Sequence, residues 1–97
     1  MTVVYDPAAA QELQDALDYY ASISHRLSGR LLDDVEAAVQ RIVEMPGAWP
    51  PLRGGLRRCL LSVFPYQIIY RVEGEAIRVL AIAHHRRRPG YWRKRIE

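Results

Sequence analysis

The spacing of apolar residues changes period once along the chain, dividing it into a helical first half and an extended second half. A short β-favouring run, Val3 to Tyr5, comes first. It stops at Asp6-Pro7, where an aspartate suited to capping and a proline tolerated in a first helical turn predict a helix start with Asp6 as its cap. Ala9, Leu13, Ala16, Leu17 and Tyr20 then recur at intervals of three and four, the pattern of an amphipathic helix of roughly five turns. The stretch SISHRLSG, residues 22–29, is expected to interrupt it. A second helix follows through Leu31, Val35, Ala38, Ile42 and Met45, backed by Leu32 and Val39, and Pro46-Gly47 ends it.

After PGAWPPLRGG, a loop dense in proline and glycine, the period becomes two. Leu56 to Val63, Gln67 to Glu73 and Ala76 to Ala83 read as strands, joined at Pro65-Tyr66 and at the EGE of residues 73–75, the latter short enough to require an antiparallel hairpin. Strict alternation places Cys59, Leu61 and Val63, then Ile68, Tyr70 and Val72, then Ile77, Val79, Ala81 and Ala83 on the face packed against the helices. The opposite face then carries Arg58, Leu60, Gln67, Ile69, Arg71, Arg78, Leu80 and Ile82. This mixture of apolar and cationic groups predicts a covered face, because a merely solvated one would be plainly polar. By the same parity His84 points with Arg78 and Leu80, and His85 to the packed side.

A chain of 97 residues with 49% apolar and 26% charged residues suits one globular domain, residues 1–97, ending in a basic tail at 84–97. The N-terminus lacks the basic and apolar regions of a signal peptide, and no apolar run is long enough to cross a bilayer, so a cytoplasmic protein without membrane attachment is expected. The single cysteine, Cys59, reads as a small buried hydrophobe. The net charge of +3 conceals a division. Residues 1–48 hold eight acids against three arginines, a net −5, whereas residues 49–97 hold eleven bases against three acids, a net +8. The second half therefore suits an anionic partner. No metal site or cofactor loop is predicted: adjacent histidines project apart, and Gly54-Gly55 lacks the lysine and the strand-to-helix setting of a phosphate loop.

The predicted order, a short strand, a helical hairpin and a three-stranded antiparallel sheet (β-α-α-β-β-β, an α+β class), gains specificity from LRRCLLSVFPYQIIYRVEGEAIRVLAIAHHRRRPGYW, residues 56–92. That stretch and the order before it resemble the RelE/ParE superfamily of bacterial toxins from type II toxin–antitoxin modules, of the plasmid-stabilisation kind, and its ParE-like branch in particular. The resemblance implies a growth-inhibiting toxin that binds DNA gyrase, neutralised by a cognate antitoxin in a hetero-oligomer. The antitoxin's C-terminal segment, disordered when free, would fold onto the cationic face, with Arg58, Arg71, Arg78, His84, Arg86, Arg87 and Arg88 meeting the antitoxin or the target.

Two alternatives remain open at this stage. One is a ribosome-dependent messenger RNA endoribonuclease of the RelE or YoeB type, acting without metal. It would need a base for the ribose 2′-hydroxyl, cations for the phosphorane-like transition state and an acid for the leaving oxygen. His84, Arg86, Tyr91 and Arg58 are its candidates, with Tyr91 serving as base if a nearby guanidinium lowers its pKa. Against it, the RelE-like nucleases carry a cation after the tyrosine that opens the middle strand, where this chain has Gln67, and a spaced lysine pair where it has Arg58 and Leu60. The other alternative is a non-toxic relative that only binds its partner.

Overall fold

The computed structural model describes residues 1–96, so Glu97 of the predicted tail lies outside the described residues. Its elements are β1 (Thr2–Tyr5), α1 (Pro7–Ile23), α2 (His25–Glu44), β2 (Leu56–Leu60), β3 (Tyr66–Glu73) and β4 (Ala76–His84), with 3₁₀ turns at Arg53–Gly55 and Tyr91–Ile96. The interruption between the helices is much shorter than SISHRLSG suggested. Ser24 alone separates them. It is extended (φ −165°, ψ 130°), its N–H closes α1 on the Tyr20 carbonyl, and its hydroxyl accepts from the Leu27 N–H to cap α2. The Ser28 hydroxyl ties the corner by donating to the Leu17 carbonyl at 2.9 Å. Gly29 is accommodated inside α2.

The sheet order is β1-β4-β3-β2. β2–β3 and β3–β4 pair antiparallel, and the last two are joined by a two-residue turn in which Gly74 supplies a positive φ of 62°. β1 joins as a fourth strand, parallel to β4 from Thr2↔Ala76 to Tyr5↔Val79, so the sheet is mixed. The helical hairpin covers one face, over a core of Ala16, Leu31, Val35, Ala38, Ile42, Ile68, Tyr70, Ile77 and Val79. Cys59 is buried there, and burial pushes its thiol pKa up. Trp49 packs on the same core, and the Tyr70 hydroxyl donates to the Pro46 carbonyl at 2.6 Å, pinning the end of α2.

Three expectations fail for identifiable reasons. β2 stops at Leu60 and not at Val63, because the buried Asp34 carboxylate of α2 gathers the next loop by accepting the N–H groups of Ser62 (3.2 Å), Val63 (3.0 Å) and Phe64 (2.8 Å). Val63 is thereby turned out, 64% exposed. The parity of β4 also breaks in mid-strand. Ile69 pairs with Ala81 while Tyr70 pairs with Val79, so Leu80 is an extra residue, a β-bulge. Leu80, Ala81 and Ala83 all belong to the face away from the helices, and Ile82 returns to the helix side. Asp6 differs too. Its side chain makes no capping bond and instead clasps the guanidinium of Arg78, Oδ1 to Nε at 2.9 Å and Oδ2 to Nη2 at 3.0 Å.

Candidate functional site

The face away from the helices is covered in part by the chain's own tail. Gly90 turns the backbone back with a φ of 79°, a left-handed conformation that favours glycine. Trp92 then sinks into a second apolar cluster with Leu56, Ile69, Leu80, Ala81 and Ala83, bordered by Leu52, Tyr91 and Ile96. The mixed face predicted from the strands is therefore real in its apolar part, and much of its cover is intramolecular.

The tail is held by a carboxylate from the other side of the sheet. β1 pairs with β4 only as far as Val79, which leaves backbone groups of β4 in need of partners beyond that point. Arg95 Nη1 caps the Leu80 carbonyl at 2.7 Å, and Glu12 Oε1 accepts the Ile82 N–H at 3.1 Å. Glu12 and Arg95 also pair directly, at 2.8 and 3.1 Å, and the Tyr91 hydroxyl donates to Glu12. Arg87 stacks on the Tyr91 ring, 3.8 Å from its centroid, at the rim of this cluster.

The predicted site residues separate into distinct environments. Arg71 and Arg78, opposite each other across β3–β4, have their charge met within the chain: Glu73 accepts from both, and Asp6 takes Arg78. These contacts hold the Glu73 carboxyl below its usual range. Arg58 lies on the outer face of β2, and its guanidinium has no hydrogen bond or ion pair among the described residues. It lines a groove of about 370 Å³ with Leu60, Gln67, His85, Arg87, Pro89 and Trp92. Arg86 and Arg88 are exposed, also without an ion pair among the described residues, and Arg87 is exposed at a 4.0 Å approach to Glu12.

The bulge reverses the expected orientations of the two histidines. His84 turns to the helix side, its ring edge-on to Tyr66 with centroids 4.9 Å apart, and lines a cavity of about 210 Å³ with Asp15, Tyr19 and Arg87. His85 faces the outer groove beside Arg58. The Arg86 N–H donates to His84 Nδ1 at 3.0 Å, while burial and then the neighbouring Arg86 and His85 lower the His84 pKa. Tyr91 departs from expectation most sharply. Burial and its hydrogen bond to Glu12 push its pKa up, outweighing Arg87 and Arg95, so the phenol is held protonated and its proton is directed at a carboxylate.

Glu12 and Asp34 organise the tail and the β2–β3 loop, and sequence reasoning assigned neither a role. A signal was present. Glu12 falls between Ala9 and Ala16, and Asp34 between Leu31 and Ala38, both on the apolar stripe of their helices. A carboxylate in such a position needs a fixed donor.

The same fold occurs in solved structures. The chain matches one from the structure described as "Chromosomal ParDE TA system from P. aeruginosa" with a TM-score of 0.74 and 25% identity, over 87% of this chain and 95% of that one. It matches the "YoeB/ParE toxin from Agrobacterium tumefaciens" with a TM-score of 0.62 at 17% identity, over 88% and 99% respectively, a likeness of fold. The architecture is thus that of the RelE/ParE superfamily of toxins. Residues 3–89 match the family described as ParE toxin of type II toxin-antitoxin system, parDE. In addition, 79 residues are 35% identical to Toxin ParE2 of Mycobacterium tuberculosis, covering 80% of this chain and 75% of that protein. The chain belongs to the ParE toxin family of type II toxin–antitoxin systems.

Proposed function

We propose that this toxin arrests growth by binding DNA gyrase in the cytoplasm and is held inactive by a cognate antitoxin in a hetero-oligomer. The observation that carries the reading is that His84, Tyr91 and Arg58 are not assembled as the base, acid and clamp a metal-free ribonuclease would need, although Arg86 adjoins His84. His84 lies on the helix side and Arg58 on the outer side, while the Tyr91 phenol is committed to Glu12 with its pKa raised. A base, an acid and a phosphate clamp must converge within hydrogen-bond reach of one phosphodiester. What remains is a binding surface. Among the described residues no helix is long and apolar enough to cross a membrane.

The antitoxin or target contact runs over Arg58, Arg71, Arg78, His84, Arg86, Arg87 and Arg88. Arg58, Arg86 and Arg88 supply the uncompensated charge, while Arg71 and Arg78 arrive already bound to acids. An acidic amphipathic segment matches that charge and the apolar groups between. The test is expression of the chain alone under tight control, scoring growth, plasmid topology and messenger RNA. Arrest with gyrase-linked DNA breaks or lost supercoiling, and with intact messenger RNA, is the expected outcome. Arrest with cleaved messenger RNA and normal supercoiling would make the protein a nuclease, and undisturbed growth with partner binding intact would make it a non-toxic relative.

A further inference from the structure

Arg58 is chemically incomplete. Half-buried on β2, its guanidinium finds no acceptor among the described residues, and its Nε is closed to water with nothing to donate to. Among the other half-buried arginines, Arg57 donates to the Trp49 carbonyl, Arg71 and Arg78 hold acids, and Arg95 holds Glu12; Arg41 on α2 also has no ion pair, but among the described arginines only Arg58 has a guanidinium nitrogen closed to water with nothing to donate to. A partly desolvated cation without a counter-charge costs free energy that an arriving anion recovers.

The surroundings specify that anion further. No carboxylate lines the groove of Arg58, Leu60, Gln67, His85, Arg87 and Trp92, so its charge is of one sign. Trp92, which also lines the groove, has an indole N–H that lacks an acceptor and is closed to solvent. Leu60, two residues along the same strand face, is 51% exposed. The free side of β2 is covered by Pro50–Leu52 only as far as Arg58, whose N–H donates to the Pro50 carbonyl at 3.2 Å, and is open at Leu60. An acceptor for a planar fork therefore sits next to an apolar step and an open strand edge.

We propose that this groove is a carboxylate subsite, in which Arg58 takes one aspartate or glutamate side chain of the antitoxin while Leu60 receives an apolar residue beside it. This rests on the toxin–antitoxin reading and adds the residue that anchors the contact. A nucleic-acid strand, whose phosphates need a series of cations, is the competing occupant on the side of Arg87, whereas on the side of Leu60 one bidentate arginine beside an exposed apolar residue matches a single acid in an amphipathic segment.

The test is a double-mutant cycle on the full chain and its co-encoded antitoxin at fixed salt. Arg58→Gln and Arg58→Lys are paired with single amidating substitutions of each antitoxin acid. Since Arg58 holds nothing within the chain, Arg58→Gln keeps the fold, and the exposed Arg26→Gln serves as a charge control. Arg58→Gln is expected to weaken binding by about tenfold or more, Arg58→Lys by less, and Arg26→Gln by less than about twofold. One amidated acid should reproduce the loss and add nothing to it in the double variant.

Binding by Arg58→Gln within twofold of wild type, or fully additive losses for every acid, would overturn the subsite and leave the toxin–antitoxin reading intact. No binding by the wild-type chain would overturn both. The Arg58 Nε–H resonance of the assembled complex, titrated with inorganic phosphate, supplies the other arm. A signal unmoved by phosphate agrees with an occupied carboxylate subsite, whereas saturation by phosphate overturns the carboxylate assignment.

Discussion

Two faces of one sheet are buried here by unequal means. The inner face meets α1 and α2, which bring whole apolar stripes, and the Asp34 carboxylate is spent on three backbone N–H groups of a neighbouring loop. The outer face meets one short 3₁₀ turn, which brings Trp92 and Ile96 and is fastened by a single carboxylate reaching round the edge of β4. The inner face stabilises the fold through area, whereas the outer face depends on the polar fastening around Glu12 and Arg95 and leaves the Arg58 guanidinium without a partner among the described residues. The proposed binding surface thus lies largely outside the core packed by the helices.

The sharpest contrast comes from truncating fully buried residues on each side. Ile68→Ala on the inner face should cost about 3–5 kcal/mol, because helices and sheet cannot close the cavity. Leu80→Ala on the outer face should fall near about 2–3 kcal/mol, because the tail can settle into the space. Urea denaturation of both variants checks this, and equal losses would mean that the tail packs as rigidly as a helix.

Of the two carboxylates, Asp34 carries more. Asp34→Ala strands three N–H donors and should cost about 2–4 kcal/mol in chemical denaturation. Glu12→Gln keeps the shape but removes the charge holding Arg95, and about 1–2 kcal/mol is expected. Its loss should be local. Amide exchange at Ile82 and Trp92 should accelerate while the helices stay protected, and uniform acceleration would show that the tail is not a separate unit.

A smaller effect distinguishes the faces by pH. The His84 pKa is lowered in the fold, so the unfolded chain binds the proton first as pH falls. Stability from this group is complete above the ordinary histidine value of 6.5 and is lost as pH drops through the folded value. Thermal unfolding of wild type and His84→Gln between pH 5 and 8 should converge toward acid, and parallel curves would contradict the assignment. The smallest effect belongs to Arg58→Gln, whose stability should stay within about 0.5 kcal/mol of wild type because its guanidinium bonds to nothing in the chain.

The element order was legible because it depends on local periodicity. Ala9, Ala16, Leu31, Val35, Ala38 and Ile42 declare helix faces by spacing, and Ile68 and Tyr70 declare a strand face by alternation, although Val72, expected beside them, is 41% exposed near the end of β3. The tail's apolar anchor was foreseeable from Tyr91-Trp92 after Pro89-Gly90. The site was less legible. Periodicity counts residues, and the extra residue at Leu80 shifts the count without any local mark, since Leu, Ala and Ile suit either face. His84 and His85 changed sides for that reason alone.

What the sequence by itself determined is the β-α-α-β-β-β order, the charge division between the halves and the membership of the family, all properties of short-range pattern. Only the tertiary structure decided which charges are free. Asp6 reaches Arg78 across 72 positions of chain and Glu12 reaches Arg95 across 83, so pairing depends on through-space distance that no spacing rule contains. The same long-range folding that consumes those cations leaves Arg58 without a partner, because no described carboxylate is brought to the outer face of β2.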